Sequence, residues 1–385
     1  MIYFNDFTTD KLYSNDKFKV LEGYLSDKVA RESLGEFLYN NLGVTVFLLT
    51  GGTIRLFPFQ EIILRSWFDH NFNLNVVSRG GSKSMMASIF CWLYLIFNPG
   101  KKIVITSNAF RSSRRIMSQI ERTANNKKAT LLRNCFELEF GKIKMRRAGD
   151  EWIMNINEGS ITGLPLNEKI RGTRADVLIC DEFLMIPEDI YKSVLVPFLA
   201  AKGNITEQQR VQEVEDTLIM QGLITENERL ILDTDKKIIG LTSASYDFEF
   251  IYRLYNQWIG KITDDRLTNE VRRKYFVSRL SYKSLPVELI DKDITDEAKD
   301  GGEDTAAFKR EFMALFSSSS DGYFNIKKLH DYTVKNGDLP CIQLRGNPNS
   351  RYILSIDPSF SSSKASDNFQ MMLHLLNDEE RTITQ

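Results

Sequence analysis

Short apolar runs alternate with longer stretches of helical period through the middle of the chain. Leu74–Ser78 reads as a buried strand and Lys83–Phe97 as an apolar helix. "PGKKIVITS" gives a turn and a second strand, and "NAFRSSRRIMSQIERTANN" a helix behind an Asn cap. "ADVLICDEF" is a further buried strand that ends in two carboxylates. "KKIIGLTSAS" is the next, followed by a helix from Asp247. Apolar strands separated by helices predict an α/β fold, a largely parallel sheet with helices on both faces.

The flanks are less regular. Residues 1 to about 43 are polar with a helical pattern, broken at Gly23 and Gly35. "VTVFLLTGGTIRLFPF" has two β-rich runs around Gly51-Gly52, which predicts a hairpin. "QEIILRSWFDHNF" reads as a short amphipathic helix, residues 129–165 as a β-rich insertion, and "EQQRVQEVEDTLIMQGLITENERLIL" as a polar helical excursion. Beyond about 262 the pattern loosens, with a helix in "GGEDTAAFKREFMALF" and a linker at "SSSSDG". "RYILSIDPSF" and "NFQMMLHLL" then read as two strands. The chain shows no internal repeat.

Composition narrows the class. Of 385 residues, 42% are hydrophobic and 26% charged, enough apolar matter for a core. The formal net charge is −1, so no global basic field draws the chain to nucleic acid, and any such contact must come from local patches. The basic clusters at 111–115, 144–147 and 271–274 are candidates for salt-sensitive contacts with a phosphate backbone. Cys91, Cys135, Cys180 and Cys341 form no CxxC pair and read as reduced thiols. His70, His330 and His374 have no metal-ligand spacing. The N-terminus has no basic start followed by an apolar core, and the apolar stretch after Met85 is too short for a membrane span.

The chemistry concentrates in "SRGGSKS", between the first strand and its helix. Gly80 and Gly81 let the backbone approach a ligand closely. Lys83 is placed to reach the β/γ-phosphates of a nucleotide, and the Ser84 hydroxyl to bind Mg²⁺. The loop departs from the usual consensus twice. Ser82 stands where a glycine precedes the lysine, and Val77 where the first glycine is expected. The acidic strand supplies the complement. Asp181 at its carboxyl end can hold Mg²⁺ through water, and Glu182 can orient or deprotonate an attacking water.

In order and spacing these motifs resemble the large terminase subunit of tailed bacteriophages, the ATPase–nuclease that packages DNA into capsids. The likeness spans about residues 55–376. It implies a P-loop, RecA/ASCE-like fold, with ATP and Mg²⁺ held by Ser78, Arg79, Gly80, Gly81, Ser82, Lys83, Ser84 and Asp181. It also implies that Gln60 in "LFPFQ" reads adenine, that Glu182 is the catalytic acid, and that Thr242 in the coupling motif "LTSAS" senses the γ-phosphate. Arg171 in "KIRGTRADVL" is then an arginine finger for the neighbouring subunit, with Arg174 and Arg79 as competitors. The implied division is an N-terminal helical segment and hairpin (1–55), an ATPase core (56–262), a linker or lid (263–350) and the start of an RNase H-like nuclease (351–385).

In that nuclease, Asp357 and Asp367 would be ligands of Mg²⁺ or Mn²⁺. Two-metal hydrolysis needs several carboxylates, and only Asp378, Glu379 and Glu380 follow them, in a probable turn. The nuclease is therefore expected to be incomplete, the chain being a shortened piece or one part of a split gene that hydrolyses ATP and does not cut DNA. Residues beyond 350 are expected to leave an unpaired edge and an uncovered apolar face. The implied partners are double-stranded DNA, a portal protein, the small terminase subunit and further copies in a ring, in the host cytoplasm and at the procapsid portal, with no membrane. Two other readings stay open: a helicase-like or other nucleic-acid-dependent P-loop ATPase, and a degenerate P-loop scaffold. About 110 residues of mixed character between Ser245 and Asp357 are too few for a second motor domain, and Lys83, Asp181 and Glu182 are all in place.

Overall fold

Strand β1 (Phe72–Val77) is buried on both faces from Asn73 onward, as a strand covered by helices on either side must be. The structure is a computed structural model that describes residues 28–166, 175–197, 216–217, 219–220, 236–300, 302, 305–318, 348–357, 370–377 and 382–384. The chain divides into two units, Met1–Lys327 and Lys328–Gln385.

In the first unit, α1 (Lys28–Asn40), α2 (Leu42–Leu49) and α3 (Pro58–Asp69) precede β1. Then come α4 (Lys83–Phe97), β2 (Lys102–Ser107), α5 (Phe110–Ala124) and the short α6 (Thr130–Asn134). A small hairpin, β3 (Leu138–Glu139) with β4 (Lys142–Ile143), leads into β5 (Met145–Ala148), β6 (Glu151–Ile156) and β7 (Gly159–Pro165). β8 (Val177–Cys180), β9 (Lys237–Thr242), α7 (Phe250–Thr263), β10 (Tyr275–Leu280) and α8 (Ala306–Glu311) complete it. The main sheet runs β10-β1-β9-β8-β2-β7-β6-β5. The first six strands are parallel, and β6 and β5 extend the sheet antiparallel.

Strand alternation sorts the core into two layers. Ile103, Ile105, Val177, Ile179 and Ile239 face one cluster, filled by α3, α4 and α5. Val104, Leu178, Cys180 and Ile238 face the other, filled by α7 and the segment around Tyr191–Leu195. Helix α4 is buried without a break from Met86 to Leu95, which is why it reads as apolar on every side. A polar link crosses this core. Trp67 Nε1 (3.2 Å) and Ser278 Oγ (2.9 Å) both donate to Asn75 Oδ1, and Asn75 Nδ2 donates to Gly240 O (3.3 Å). One asparagine so ties α3, β1, β9 and β10, and a satisfied buried amide favours one strand register.

Three expectations are corrected. The hairpin over residues 44–59 is not formed: Leu42–Leu49 is helix, and Gly51 and Gly52, at φ 61° and 78°, make the turn that ends it. Leu42 and Val46 join the core cluster with Ile63 and Leu64 of α3, and burying an all-apolar helix outweighs the strand preference of "VTVF". The β-rich stretch 129–165 is not an insertion apart from the sheet, since β7 pairs directly with β2. The boundary at 262 does not close the core, because β10 is hydrogen-bonded to β1 as an edge strand of the same sheet.

In the second unit, β11 (Arg351–Asp357), β12 (Gln370–Asn377) and β13 (Thr382–Thr384) form an antiparallel meander. Both expected strands are present, and Ile353, Leu354 and Ile356 are exposed. Cys91 and Cys180 are buried, burial pushes both thiols up, and they are free, as is Cys135. Cys341 and His330 lie outside the described residues. Among the described residues no helix is long and apolar enough to cross a membrane.

Phe90 is fully buried with ring neighbours Trp67 (5.6 Å), Phe68 (5.4 Å) and Tyr94 (5.1 Å). Phe90→Ala should lower unfolding free energy by about 3–5 kcal/mol. A urea midpoint within error of wild type would show that this aromatic cluster does not hold the helices on the sheet.

Candidate active site

The carboxyl ends of three neighbouring strands, β1, β9 and β8, open onto one cleft of about 530 Å³. A crevice beyond the carboxyl ends of parallel strands is where α/β sheets bind ligands. From the β1 side it is lined by Arg79, Gly80, Gly81, Ser82, Lys83 and Ser84. Asp181 and Glu182 enter from β8, Thr242 and Ser243 from β9, Arg115 from α5, and Glu311 from α8.

The loop between β1 and α4 has the glycine geometry its sequence suggested. Gly80 sits at φ 79°, and a Cβ on Gly81 would collide with the Val77 side chain. Ser82, where the consensus has glycine, takes the left-handed conformation itself, at φ 57°. A non-glycine held there is strained, which is the kind of feature binding loops carry. The first N–H groups of α4 have no intrahelical acceptor, so the helix start is suited to an anion.

Lys83 Nζ donates to Val77 O (2.6 Å) and Ser78 O (3.2 Å). Burial lowers the Lys83 pKa and nearby Arg79 adds to this, while Asp181 and Glu311 oppose it. Asp181 is 4% exposed, and burial raises its pKa. The hydrogen bond from Glu182 N (3.1 Å) works against that, as do Lys83 and Arg115. A half-buried ammonium and a buried carboxylate that both strain against their charges are what a polyphosphate with its cation would relieve.

Glu182 is exposed at φ 53° and starts the 3₁₀ turn Phe183–Met185. Thr242, 1% exposed, accepts from Leu184 N (3.2 Å) through Oγ1 and donates to Ser243 O (2.8 Å). The Thr242 hydroxyl is thus bonded to the turn that carries Glu182. Arg79 Nε donates to Glu311 Oε2 (2.6 Å), and Arg79 N donates to Glu311 O (2.9 Å).

Several predicted residues sit elsewhere. Gln60 is buried and its Oε1 accepts from Phe57 N (3.0 Å), capping α3; it does not line the cleft. Ser78 is buried, its hydroxyl has no hydrogen-bond partner among the described residues, and its carbonyl accepts from Lys83 Nζ. Arg171, Arg174 and Asp367 lie outside the described residues. Asp357 ends β11, opposite Gln370. Among the described residues no cluster of three or more His, Cys, Asp or Glu could hold a metal ion. In the cleft, Ser84 and Asp181 suit Mg²⁺, which binds through one or two protein oxygens and completes its shell with phosphate and water.

Two charged lining residues escaped the sequence reading. Arg115 lies in a basic cluster that reads as a nucleic-acid contact, and Glu311 sits 232 residues from its partner Arg79. No local spacing marks either one.

No protein-family model and no curated protein sequence matches this chain. Solved structures that resemble it include the ATPase domain of the large terminase of Thermus phage P74-26. That match has 15% identity and a TM-score of 0.46, and covers 70% of this chain and 97% of that one. The large terminase of the thermophilic bacteriophage D6E in complex with ADP has 11% identity and a TM-score of 0.45, covering 83% and 64%. The HK97 bacteriophage large terminase has 11% identity and a TM-score of 0.46, covering 86% and 62%. This chain therefore spans less than two thirds of the D6E and HK97 proteins. With TM-scores below 0.5, these likenesses carry no weight in assigning an activity.

Gly240 and Thr242 can be tested apart from any activity. A Cβ on Gly240 would collide with the Phe183 ring, so Gly240→Ala should cost about 1–3 kcal/mol of stability. Thr242→Val should cost about 1–3 kcal/mol by leaving the Leu184 N–H without an acceptor. Denaturation midpoints equal to wild type in both variants would show that the turn is not anchored on β9.

Proposed function

We propose that this chain is the ATP-hydrolysing part of a motor that drives double-stranded DNA into a viral capsid, as the large terminase subunit of tailed phages does. One observation carries the ATPase reading. Lys83, the Asp181–Glu182 pair and Thr242 meet in one cleft from three different strands, and Thr242 is bonded to the turn bearing Glu182. The packaging role rests on the motif order set out above.

In this mechanism the start of α4, Gly80 and Gly81 cradle the phosphates, and Lys83 leaves its two carbonyl acceptors to reach the β/γ-phosphates. Mg²⁺, held by Ser84 and Asp181, would neutralise phosphate oxygens. Glu182 orients water and accepts its proton, and Thr242 passes the loss of the γ-phosphate from the acidic turn to the segment after β9. Catalysis of this kind is mostly positioning and charge stabilisation. Asp357 as part of a nuclease, and the portal protein and small terminase subunit as partners, belong to the same proposal. So does a ring in which Arg171 completes a neighbour's site.

Lys83→Ala should abolish ATP turnover with the fold intact. Glu182→Gln should keep ATP binding but slow hydrolysis by about 10²–10⁴-fold. Normal turnover in a folded Lys83→Ala protein would end the phosphate-loop reading. Mixing Arg171→Ala with Glu182→Gln subunits should restore some activity, and no rescue at any ratio, with both variants assembling, would place Arg171 outside a neighbour's site. DNA uptake by portal-bearing capsids supports packaging, whereas ATP-driven strand separation without capsids would favour the helicase-like alternative.

A further inference from the structure

Arg115 stands on the far side of the cleft from the phosphate loop. The strand order is β1-β9-β8-β2, so Lys83 reaches in from the β1 edge and Arg115 from the helix that follows β2, with Thr242 and the two acids between them. The start of α5 is fixed for this. Ser113 is fully buried, its Oγ lies 2.9 Å from Ser107 Oγ and donates to Leu164 O (3.2 Å), and its N–H donates to Ser107 Oγ (3.2 Å). Ile116 and Met117, the next two residues after Arg115, are fully buried. Arg115 is therefore an exposed side chain on a rigid base.

Three other guanidiniums in this region are occupied. Arg79 is held by Glu311, Arg114 lies over Phe110 and Trp152, and Arg147 pairs with Glu121. Arg115 lines the cleft yet makes no ion pair or hydrogen bond among the described residues. Its field reaches Asp181, whose pKa it lowers. With Arg79 neutralised by Glu311, the cleft holds Lys83 and Arg115 against Asp181 and Glu182. A polyphosphate anchored on α4 and Lys83 would present its outermost phosphate to the acids of β8, on the side where Arg115 lines the cleft.

We propose that Arg115 is a second cation of the same subunit's nucleotide site, a catalytic residue that contacts the terminal phosphate of a nucleoside triphosphate and so separates triphosphate from diphosphate. This rests on the ATPase reading above. A guanidinium suits the task because it is always charged and forks onto phosphate oxygens.

The test uses the full chain with Mg²⁺, a fluorescent ADP and a fluorescent non-hydrolysable ATP analogue. Arg115→Ala should weaken the triphosphate analogue about 10-fold, one charge-assisted contact, and leave ADP within about 2-fold. It should also lower kcat by more than it raises KM, and Arg115→Lys should recover part of both losses. Equal weakening of both nucleotides would overturn the proposal, because Arg115 would then act on Asp181 or on the inner phosphates. No change in either affinity would overturn it too. Lys83→Ala, run alongside, must weaken both ligands. If Lys83→Ala does so and Arg115→Ala changes nothing, the Arg115 role alone fails. If wild type binds neither nucleotide, the ATPase reading falls and takes this role with it.

Discussion

The Phe183 ring rests on the bare backbone of Gly240, in the space a side chain there would need. That contact is buried, and it presses the turn after β8 onto β9. Glu182, caught between the end of β8 and the buried ring, has to take the left-handed conformation. The next residue after the ring, Leu184, then presents its N–H to Thr242. Both acids and the hydroxyl of the neighbouring strand are thereby set in one register. Without the glycine, the turn could not lie so close, and the carboxylate of Glu182 would have no defined relation to the end of β9.

Electrostatics in the cleft follow from the same closeness. Burial pushes Lys83 down and Asp181 up, and each partly holds the other's charge in place. The Arg79–Glu311 pair sits nearer the solvent, with 73% of the Arg79 side chain exposed, so its net contribution to stability is about 0–1 kcal/mol. A weak pair of this kind can exchange partners at little cost. Its backbone counterpart is firmer. Ser78 N donates to Leu280 O and Arg79 N to Glu311 O, which holds the phosphate loop to β10 and α8. The residues after 262 are therefore part of the loop's support, and the edge strand β10 is as much a part of the site as β1.

Much of this was legible in the chain itself. Runs such as "IVI" in β2 and "VLIC" in β8 are apolar at every position because their strands are covered on both faces, and that pattern needs no knowledge of neighbours. "SRGGSKS" announces a close backbone approach because Gly80 and Gly81 have steric reasons to be glycine. The acids at 181–182 and the hydroxyl at 242 were marked by their place at strand ends. "VTVFLLTGG" misled because a short apolar run has no period that separates strand from buried helix, and packing against α3 settled it.

What the amino-acid order determined by itself was most of the elements around the sheet and the local geometry of the loop between β1 and α4, since both come from side-chain periodicity and glycine sterics over a few residues. The tertiary structure alone decided which strand ends meet. β9 lies between β1 and β8 although about 160 residues separate it from β1, Arg115 faces the acids from the helix after β2, and Glu311 closes on Arg79 across 232 positions. Gln60 is the converse case: its position invites a binding role, and the fold uses it to cap α3. The physical reason is common to the first three. Strand order and long-range ion pairs are chosen by which buried faces fit together, and that choice is a property of the assembled core, with no signature in any local stretch of sequence.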